Sequence, residues 1–275
     1  MGVRSACLDT LAMLAFVALD DPEVVIASMS PFRDAVTSHP AAGVTASAVR
    51  GWALLLSVLP QSLLTPQWVE EHLGMLARCL ASDSVDVRTA AGQAVALLYH
   101  GAGLVDEDEE EEDYDQGDGC STSGSSLAPG MDDIVTRMQA LATNRGDAMR
   151  RSRRDRAQLS GTFRRLCRSV VDGDVPTVKI KLRCDVLVVD TLAGHVQLAA
   201  LKQHLADGFQ VHLLRNSLLH EIFDFEPTAE PPERMSALEK RMYRSPGSES
   251  SKARTQHRSK ARAAGARGMS HVAEW

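Results

Sequence analysis

A repeated Val-Arg dipeptide is the sequence feature that most restricts how this chain can fold. The dipeptide occurs at Val3-Arg4, Val49-Arg50 and Val87-Arg88, at intervals of 46 and 38 residues. Small or apolar residues follow each copy at offsets of three, four and ten positions, which places them on one face of a helix. A period near forty residues with paired helices is typical of HEAT or armadillo repeats. The sequence therefore predicts an all-α fold, with a HEAT/armadillo-like α-solenoid over residues 1–104.

The start of this array has two interpretations. The first copy begins almost at Met1 and leaves no room for the partner helix that a two-helix repeat needs. An uncapped repeat exposes apolar surface, which would indicate a region missing before Met1. Alternatively, the segment from Val3 to Leu19 is itself a capping helix.

Composition agrees with packed helices and excludes several classes. Hydrophobic residues make up 44% of the chain but aromatic residues only 4%, so the core is aliphatic. The five cysteines are odd in number and never spaced C-x-x-C, which argues against a disulfide framework or a zinc ribbon and favours a reducing compartment. The N-terminal apolar stretch is shorter than a membrane span and contains Asp9. No signal peptide, membrane anchor or membrane partner is expected.

Charge divides the chain into segments. Residues 106–118 contain ten carboxylates and no Lys or Arg, and a Ser/Gly-rich stretch follows. Such a segment cannot bury enough apolar surface to fold, so 105–130 is predicted to be a disordered acidic linker, either simply solvated or folded back on basic surfaces. Helical spacing resumes from Met131, and 131–226 is interpreted as a continuation of the helical domain. Within it, 177–192 is β-branched and alternating, which predicts one or two short strands or a buried helix.

Two basic segments follow the acidic one. Residues 145–168 contain nine Arg against two Asp, and 234–267 contain ten Lys or Arg against two Glu. In the C-terminal region, 227–275, we expect a disordered polybasic tail that orders on a polyanion. If it is helical, Arg254, Arg258 and Arg262 form one stripe that Lys252 and Lys260 widen. With few aromatic residues the tail would read phosphate charge rather than base sequence; a nuclear localisation signal or a merely solvated end is the alternative.

The sequence contains no signature of catalysis. Walker A, G-x-G-x-x-G and G-x-S-x-G motifs do not occur. The His-Glu pair at 220–221 begins like a zincin motif, but Asp224 stands where the second histidine is needed. Histidines recur every eight residues, at His204, His212 and His220, but isolated histidines more often serve packing or surface roles. We predict a non-enzyme with no catalytic residue, metal, cofactor or small-molecule substrate; a cavity gathering His204, His212 and Cys184 would reopen the question.

The C-terminal sequence resembles a known family. The segment GFQVHLLRNSLLHEIFDF at 208–225 is followed by RSPGSESSKARTQHRSKARA at 244–263. Together they resemble the interferon-related developmental regulator family, whose terminal signature has the Ser-Lys-Ala-Arg-Thr core found here at 251–255. Gly247 stands where the family usually has Asn, and family members begin well before this Met1.

The resemblance implies a non-enzymatic regulator of gene expression. The leading hypothesis is a helical scaffold whose polybasic tail contacts ribosomes or RNA and represses translation. The alternative is a transcriptional co-regulator that binds protein partners through a solenoid groove around Arg50, Trp52 and Arg88, with the tail as nuclear localisation signal. Both hypotheses place the protein in the nucleus and cytoplasm. The candidate RNA- or partner-binding residues are Lys240, Arg241, Arg244, Lys252, Arg254, Arg258, Lys260 and Arg262.

Overall fold

The computed structural model describes residues 2–38, 41–103, 130–143, 152–182, 185–227, 237–245 and 247–270, without the side chains of 237–239, 244, 250 and 261–270. The predicted linker, 105–130, therefore lies outside the described residues except for Gly130. Contacts divide the chain into two units. Unit 1 comprises 1–182 and 186–226, and unit 2 comprises 183–185 and 227–275. Each unit is described by itself.

Helices make up most of the described residues of unit 1. Its first eight are α1 (Val3–Ala18), α2 (Pro22–Ser28), α3 (Ser30–Ser38), α4 (Ala42–Leu56), α5 (Pro66–Leu80), α6 (Val85–Gly101), α7 (Met131–Ala142) and α8 (Arg153–Val171). A hairpin of β1 (Val178–Lys181) and β2 (Val186–Val189) follows, and then α9 (Leu192–Leu205), α10 (Phe209–Arg215) and α11 (Ser217–Phe223). Short 3-10 turns lie at Gln61–Leu63 and Ala206–Gly208. Apart from one hairpin, the described part of the chain is helical, as an all-α fold predicts.

The helices of unit 1 are stacked in pairs. Helices α3 and α4, α5 and α6, and α7 and α8 pack against each other as neighbours in sequence. The second helix of each pair also packs on the second helix of the next, so that α1, α4, α6 and α8 form one layer. The first helices, α3, α5 and α7, form the other layer. Repeated helix pairs are stacked in this way, although the HEAT or armadillo class itself stays a prediction.

Small residues allow this close stacking. A methyl group built on Gly51 would lie 2.5 Å from the ring of Phe32 in α3, and one on Gly92 would lie 2.9 Å from the ring of Phe163 in α8. Both rings are fully buried. The absent side chain therefore lets an aromatic ring of the neighbouring helix pack directly on the glycine backbone.

Local signals fix two of the helix starts. Thr65 accepts a hydrogen bond from the backbone N–H of Trp68, and Pro66 occupies the first turn of α5, as the sequence predicts. At the start of α6, the guanidinium Nε of Arg88 donates to the carbonyl of Ser82. The arginine of the third copy of the repeat therefore bonds to the turn that precedes its helix.

The segment after α8 covers one face of the helix stack. The hairpin pairs Val178 with Val189 in antiparallel register, so the alternating stretch forms two strands and not a buried helix. Helix α9 then packs on α1, α4 and α6, and the amide of Gln197 donates to the hydroxyl of Ser57 at 3.1 Å. The face of the second-helix layer that lies away from α3 and α5 is therefore occupied by the chain's own α9.

Helix α1 forms the edge of the second-helix layer. It packs on α4 through Ala12, Met13 and Phe16. Its apolar residues Val3 and Leu14 are 81% and 61% exposed, so one side of α1 is uncovered by described residues. Among the helices that the structure describes, each is too short or too polar to cross a lipid bilayer.

Candidate nucleic-acid interface

The basic C-terminal region forms two helices in unit 2. These are α12 (Ala237–Arg244) and α13 (Glu249–Ser270). Helix α13 begins at a capping serine, because the hydroxyl of Ser248 accepts from the N–H of Ser251 at 3.2 Å and its carbonyl accepts from the N–H of Lys252 at 3.0 Å. Within α13, Ala, Arg and Lys are strong helix formers. The expectation of a disordered tail was therefore wrong for 249–270.

Helix α13 carries a large excess of positive charge. Its 22 residues include six Lys or Arg and one acidic residue, Glu249. Every side chain from Lys252 to Lys260 is exposed. A helix that is polar on all sides has no apolar face to bury in a core, so its side chains are available to a partner.

The structure describes the side chains of six of the eight candidate residues. The side chains of Lys240, Arg241, Lys252, Arg254, Arg258 and Lys260 are all exposed. In this described part of the chain none of the six forms an ion pair. The side chains of Arg244 and Arg262 lie outside the described residues. Among the described residues these six cations have no counterion, so their charge is available to an anion.

The cations surround α13. At 3.6 residues per turn, Arg254 and Arg258 are offset by about 40° around the helix axis. The expectation that Lys252 and Lys260 widen this stripe was wrong, because at about 100° per residue both lie on other sides of the helix, and no single face holds all four. A helix with this distribution can meet negative charge from several directions, as in a groove between phosphate backbones.

One contact joins α12 to α13. The guanidinium carbon of Arg254 lies 5.7 Å from the ring centre of Tyr243, over the face of the ring. Cation–π contacts of this kind orient the guanidinium without neutralising it. In the sequence, Tyr243 counts only as one of the few aromatic residues of the tail. Its position eleven residues before Arg254, across a turn, is the sequence feature from which this contact could have been predicted.

The other basic segment has a different environment. Helix α8 buries Leu159, Phe163 and Leu166 in unit 1. The Nε of Arg164 donates to the carbonyl of Ala142 at 3.2 Å, which joins α8 to α7. Arg153, Arg154 and Arg156 are exposed on the opposite side. These arginines therefore lie on the outer surface of a helix whose other face packs in the core.

The histidines and cysteines do not form a chemical site. In the described residues, no group of three or more His, Cys, Asp or Glu could hold a metal ion. Nε2 of His220 lies 2.9 Å from the carbonyl oxygen of Leu213 and serves the local turn. Burial raises the pKa of the Cys79 thiol to about 11 and also raises the pKa of Cys167, which disfavours both thiolates. Cys184 lies outside the described residues.

The proposed groove around Arg50, Trp52 and Arg88 is corrected by the structure. Trp52 is fully buried and Arg88 is 8% exposed. The ring of Trp52 stacks on Trp68 with the ring centres 5.9 Å apart, and Arg88 is committed to its bond with Ser82. Because these positions face the interior of the helix stack, neither side chain is available to a partner.

The geometry defines a class of protein: unit 1 is a stack of paired helices, and unit 2 contains a cationic helix pair whose described Lys and Arg side chains are exposed. Residues 1–171 match the interferon-related developmental regulator family, and 216–263 match the interferon-related protein conserved region. The chain belongs to the interferon-related developmental regulator family. All eight candidate residues lie within the second match.

Individual relatives align with nearly the whole chain. It is 28% identical to mouse interferon-related developmental regulator 2 over 278 residues, covering 94% of this chain and 58% of the mouse protein. It is 26% identical to human interferon-related developmental regulator 1 over 281 residues, covering 95% of this chain and 57% of the human protein. The chain thus spans less than three fifths of the length of these relatives.

Proposed function

We propose that this protein is a non-enzymatic regulator of gene expression that binds RNA phosphates, on ribosomes above all, through the cations of α12 and α13. The observation that carries the proposal is the group of exposed, ion-pair-free cations around α13. Membership of a family named for developmental regulators supports the regulatory part. Repression of translation and a distribution between nucleus and cytoplasm belong to the same proposal.

Binding of this kind depends on charge more than on sequence. Few aromatic residues accompany the cations, so base stacking contributes little. If Lys252, Arg254, Arg258 and Lys260 each neutralise one phosphate, the logarithm of the binding constant falls with the logarithm of salt concentration with a slope of roughly −3. The slope therefore counts the phosphate contacts.

The alternative role, in which protein partners occupy a groove of the helix stack, is less favoured. Helix α9 already covers one face of α1, α4 and α6, and a partner on that face would have to displace it. By contrast, the described cations of α13 need no rearrangement to meet an anion.

The test is co-sedimentation of the full chain with ribosomes, with and without RNase. A variant with Lys252, Arg254, Arg258 and Lys260 changed to alanine should lose co-sedimentation at physiological salt. The matched control changes Arg154, Arg156, Arg165 and Arg168 of α8, four equally exposed cations, and should sediment like the unmodified protein. Equal loss in both variants would show that only net charge matters, and retention in the α13 variant would overturn the proposal.

A further inference from the structure

Unit 1 encloses a cavity that the proposed function does not use. The cavity has a volume of about 250 Å³ and lies between α1, α4, α6 and α9. Apolar side chains form most of its wall, among them Met13, Leu54 and Val196. Asp9, Arg50 and Gln203 supply polar groups to the same wall. Concave apolar sites with a few converging polar groups are where proteins bind small molecules.

Arg50 differs from its counterpart in the next repeat. Arg88 occupies the same repeat position and its Nε bonds to the carbonyl of Ser82. The Nε of Arg50 is also buried, but it has no hydrogen-bond partner in the structure. Arg50 instead donates from Nη2 to the hydroxyl of Ser47 at 2.9 Å. A buried unpaired donor is costly, but this nitrogen has almost no accessible surface for a ligand. Elsewhere in the guanidinium only Nη2 has a hydrogen bond to a described residue, and the side chain is 37% exposed, so the guanidinium keeps donors for an acceptor on a ligand.

Asp9 stands beside Arg50 in the wall. Its Oδ1 lies 4.0 Å from Nη2 of Arg50, with side-chain exposures of 37% for Arg50 and 20% for Asp9. The other carboxylate oxygen, Oδ2, accepts from Nε2 of Gln203 in α9 at 3.1 Å. Oδ1 therefore keeps acceptor capacity for a donor on a ligand. The two residues have opposite charges, so the pair favours a neutral ligand and repels an isolated carboxylate through Asp9.

We propose that this cavity binds a small neutral molecule with an apolar body and a carboxamide-like edge. Its carbonyl oxygen accepts from the accessible part of the Arg50 guanidinium, its N–H donates to Asp9, and its body packs on the apolar wall. A cavity of about 150 Å³ lined by apolar side chains holds benzene, so the volume of about 250 Å³ here has room for a ring with a polar group. The proposal concerns binding alone. His204 also lines the wall, but His212 does not, so the described residues do not gather there the histidine cluster that would reopen the question of catalysis.

Three probes of similar size test the class of ligand. Benzamide carries both an acceptor and a donor, benzoate carries only acceptors and a negative charge, and toluene carries neither. The full chain is titrated with each probe, and chemical shifts of backbone amides in α1, α4 and α9 are recorded by NMR. Benzamide should bind in roughly the millimolar range that a fragment of this size reaches, and benzoate and toluene should bind at least fivefold more weakly.

Variants test the two polar residues. Arg50→Met should weaken benzamide about tenfold, as expected for loss of a charge-assisted bond, whereas Arg78→Met on exposed α5 should leave it unchanged. Asp9→Asn keeps the shape of the side chain and removes the repulsion, so it should strengthen benzoate relative to benzamide. If Arg50→Met fails to fold, Ala200→Leu, which fills the cavity from half-buried α9, should abolish benzamide shifts instead.

Several outcomes would overturn the proposal. If toluene bound as tightly as benzamide, the cavity would bind apolar molecules without a contribution from Asp9 and Arg50. If benzoate bound the unmodified protein more tightly than benzamide, the proposed ligand class would be wrong. Chemical-shift changes outside the cavity would place the binding site elsewhere. Ribosome co-sedimentation is independent of these results, so this proposal and the proposed function can fail separately.

Discussion

Unit 1 and helix α13 use their side chains in opposite ways. Unit 1 buries its large side chains, with Phe32, Trp52 and Phe163 fully enclosed, and it also buries a cation, Arg88. Along α13 every side chain from Lys252 to Lys260 is exposed. Burial supplies stability, and exposed unpaired charge supplies attraction to a polyanion. The comparison teaches that the buried core lies in unit 1, whereas the charge to which the proposed function assigns recognition lies in α13.

The largest expected loss of stability is that of Trp52→Ala. The ring is fully buried and packs on Trp68 and His72, so its removal should lower the free energy of unfolding by about 3–5 kcal/mol. Denaturant unfolding measures this loss. Below the new midpoint, RNA binding should keep its affinity and salt slope, because the cations of α13 are untouched.

The reciprocal variant completes that comparison. Replacing Lys252 and Arg254 by alanine should change the free energy of unfolding of unit 1 by less than about 0.5 kcal/mol, the usual range for exposed sites. A loss as large as that of Trp52→Ala would mean that α13 contributes to the core, and the separation of roles would then be wrong.

Arginine offers a second test with one residue type in three environments. Arg88→Ala should cost about 1–3 kcal/mol, because the side chain is only 8% exposed and the carbonyl of Ser82 loses its partner. Arg50→Ala should cost less than about 1 kcal/mol, since Arg50 is half-exposed and its ion pair is long. Arg258→Ala, on exposed α13, should leave stability unchanged. Thermal unfolding of the three variants gives the ranking, and equal losses for Arg50 and Arg88 would contradict it.

Periodicity was sufficient to predict much of unit 1. The offsets of small and apolar residues predict the helices that α4 and α6 form, and Thr65 with Pro66 marks the start of α5. The predicted return of helices after the acidic segment is seen in α7 to α11, all of which lie within 131–226. These patterns are local, and local preferences were not overridden by packing there.

Positions fixed by contacts between distant segments could not be predicted. Arg50 and Arg88 occupy equivalent places in the repeat, but only the structure shows that α1 brings Asp9 beside Arg50. Nothing in the spacing of α9 predicts that it covers α1, α4 and α6. The tail was expected to be disordered because it has few apolar residues to bury, but Ala, Lys and Arg favour a helix and Ser248 caps its start.

The pH dependence of stability should come partly from a buried group of unit 1. Burial lowers the pKa of His72 from its usual 6.5, and its Nδ1–H donates to the carbonyl of Trp68 at 2.7 Å. Below pH 6.5 the unfolded chain therefore binds more protons than the folded chain, so stability is present above that pH and falls as pH decreases. The contribution of one group cannot exceed about 1.4 kcal/mol per pH unit.

His72→Gln isolates this effect. Unfolding free energies measured from pH 8 to pH 5 should show a smaller decrease in the variant than in the unmodified protein. His257→Gln, at an exposed position of α13, should leave the decrease unchanged. An identical pH profile for all three proteins would exclude His72 as its origin.

The smallest expected effect concerns the order of α13 itself. Ser248 accepts from the N–H of Ser251 and donates to the carbonyl of Tyr243 at 2.8 Å, so Ser248→Ala removes both the cap and a tie to α12. The helix should lose about 1 kcal/mol of stability, seen as reduced helicity by circular dichroism with no change in the unfolding of unit 1. Ser248→Asn keeps a cap without adding charge and should restore helicity, and Ser259→Ala, in the exposed helix interior, should preserve or raise it. RNA affinity should fall only a few-fold in Ser248→Ala, because the charges remain and only their ordering becomes costlier. If affinity fell as far as in the four-alanine variant, α13 would recognise its partner through a fixed helical shape, and charge alone would no longer explain the difference between the two units.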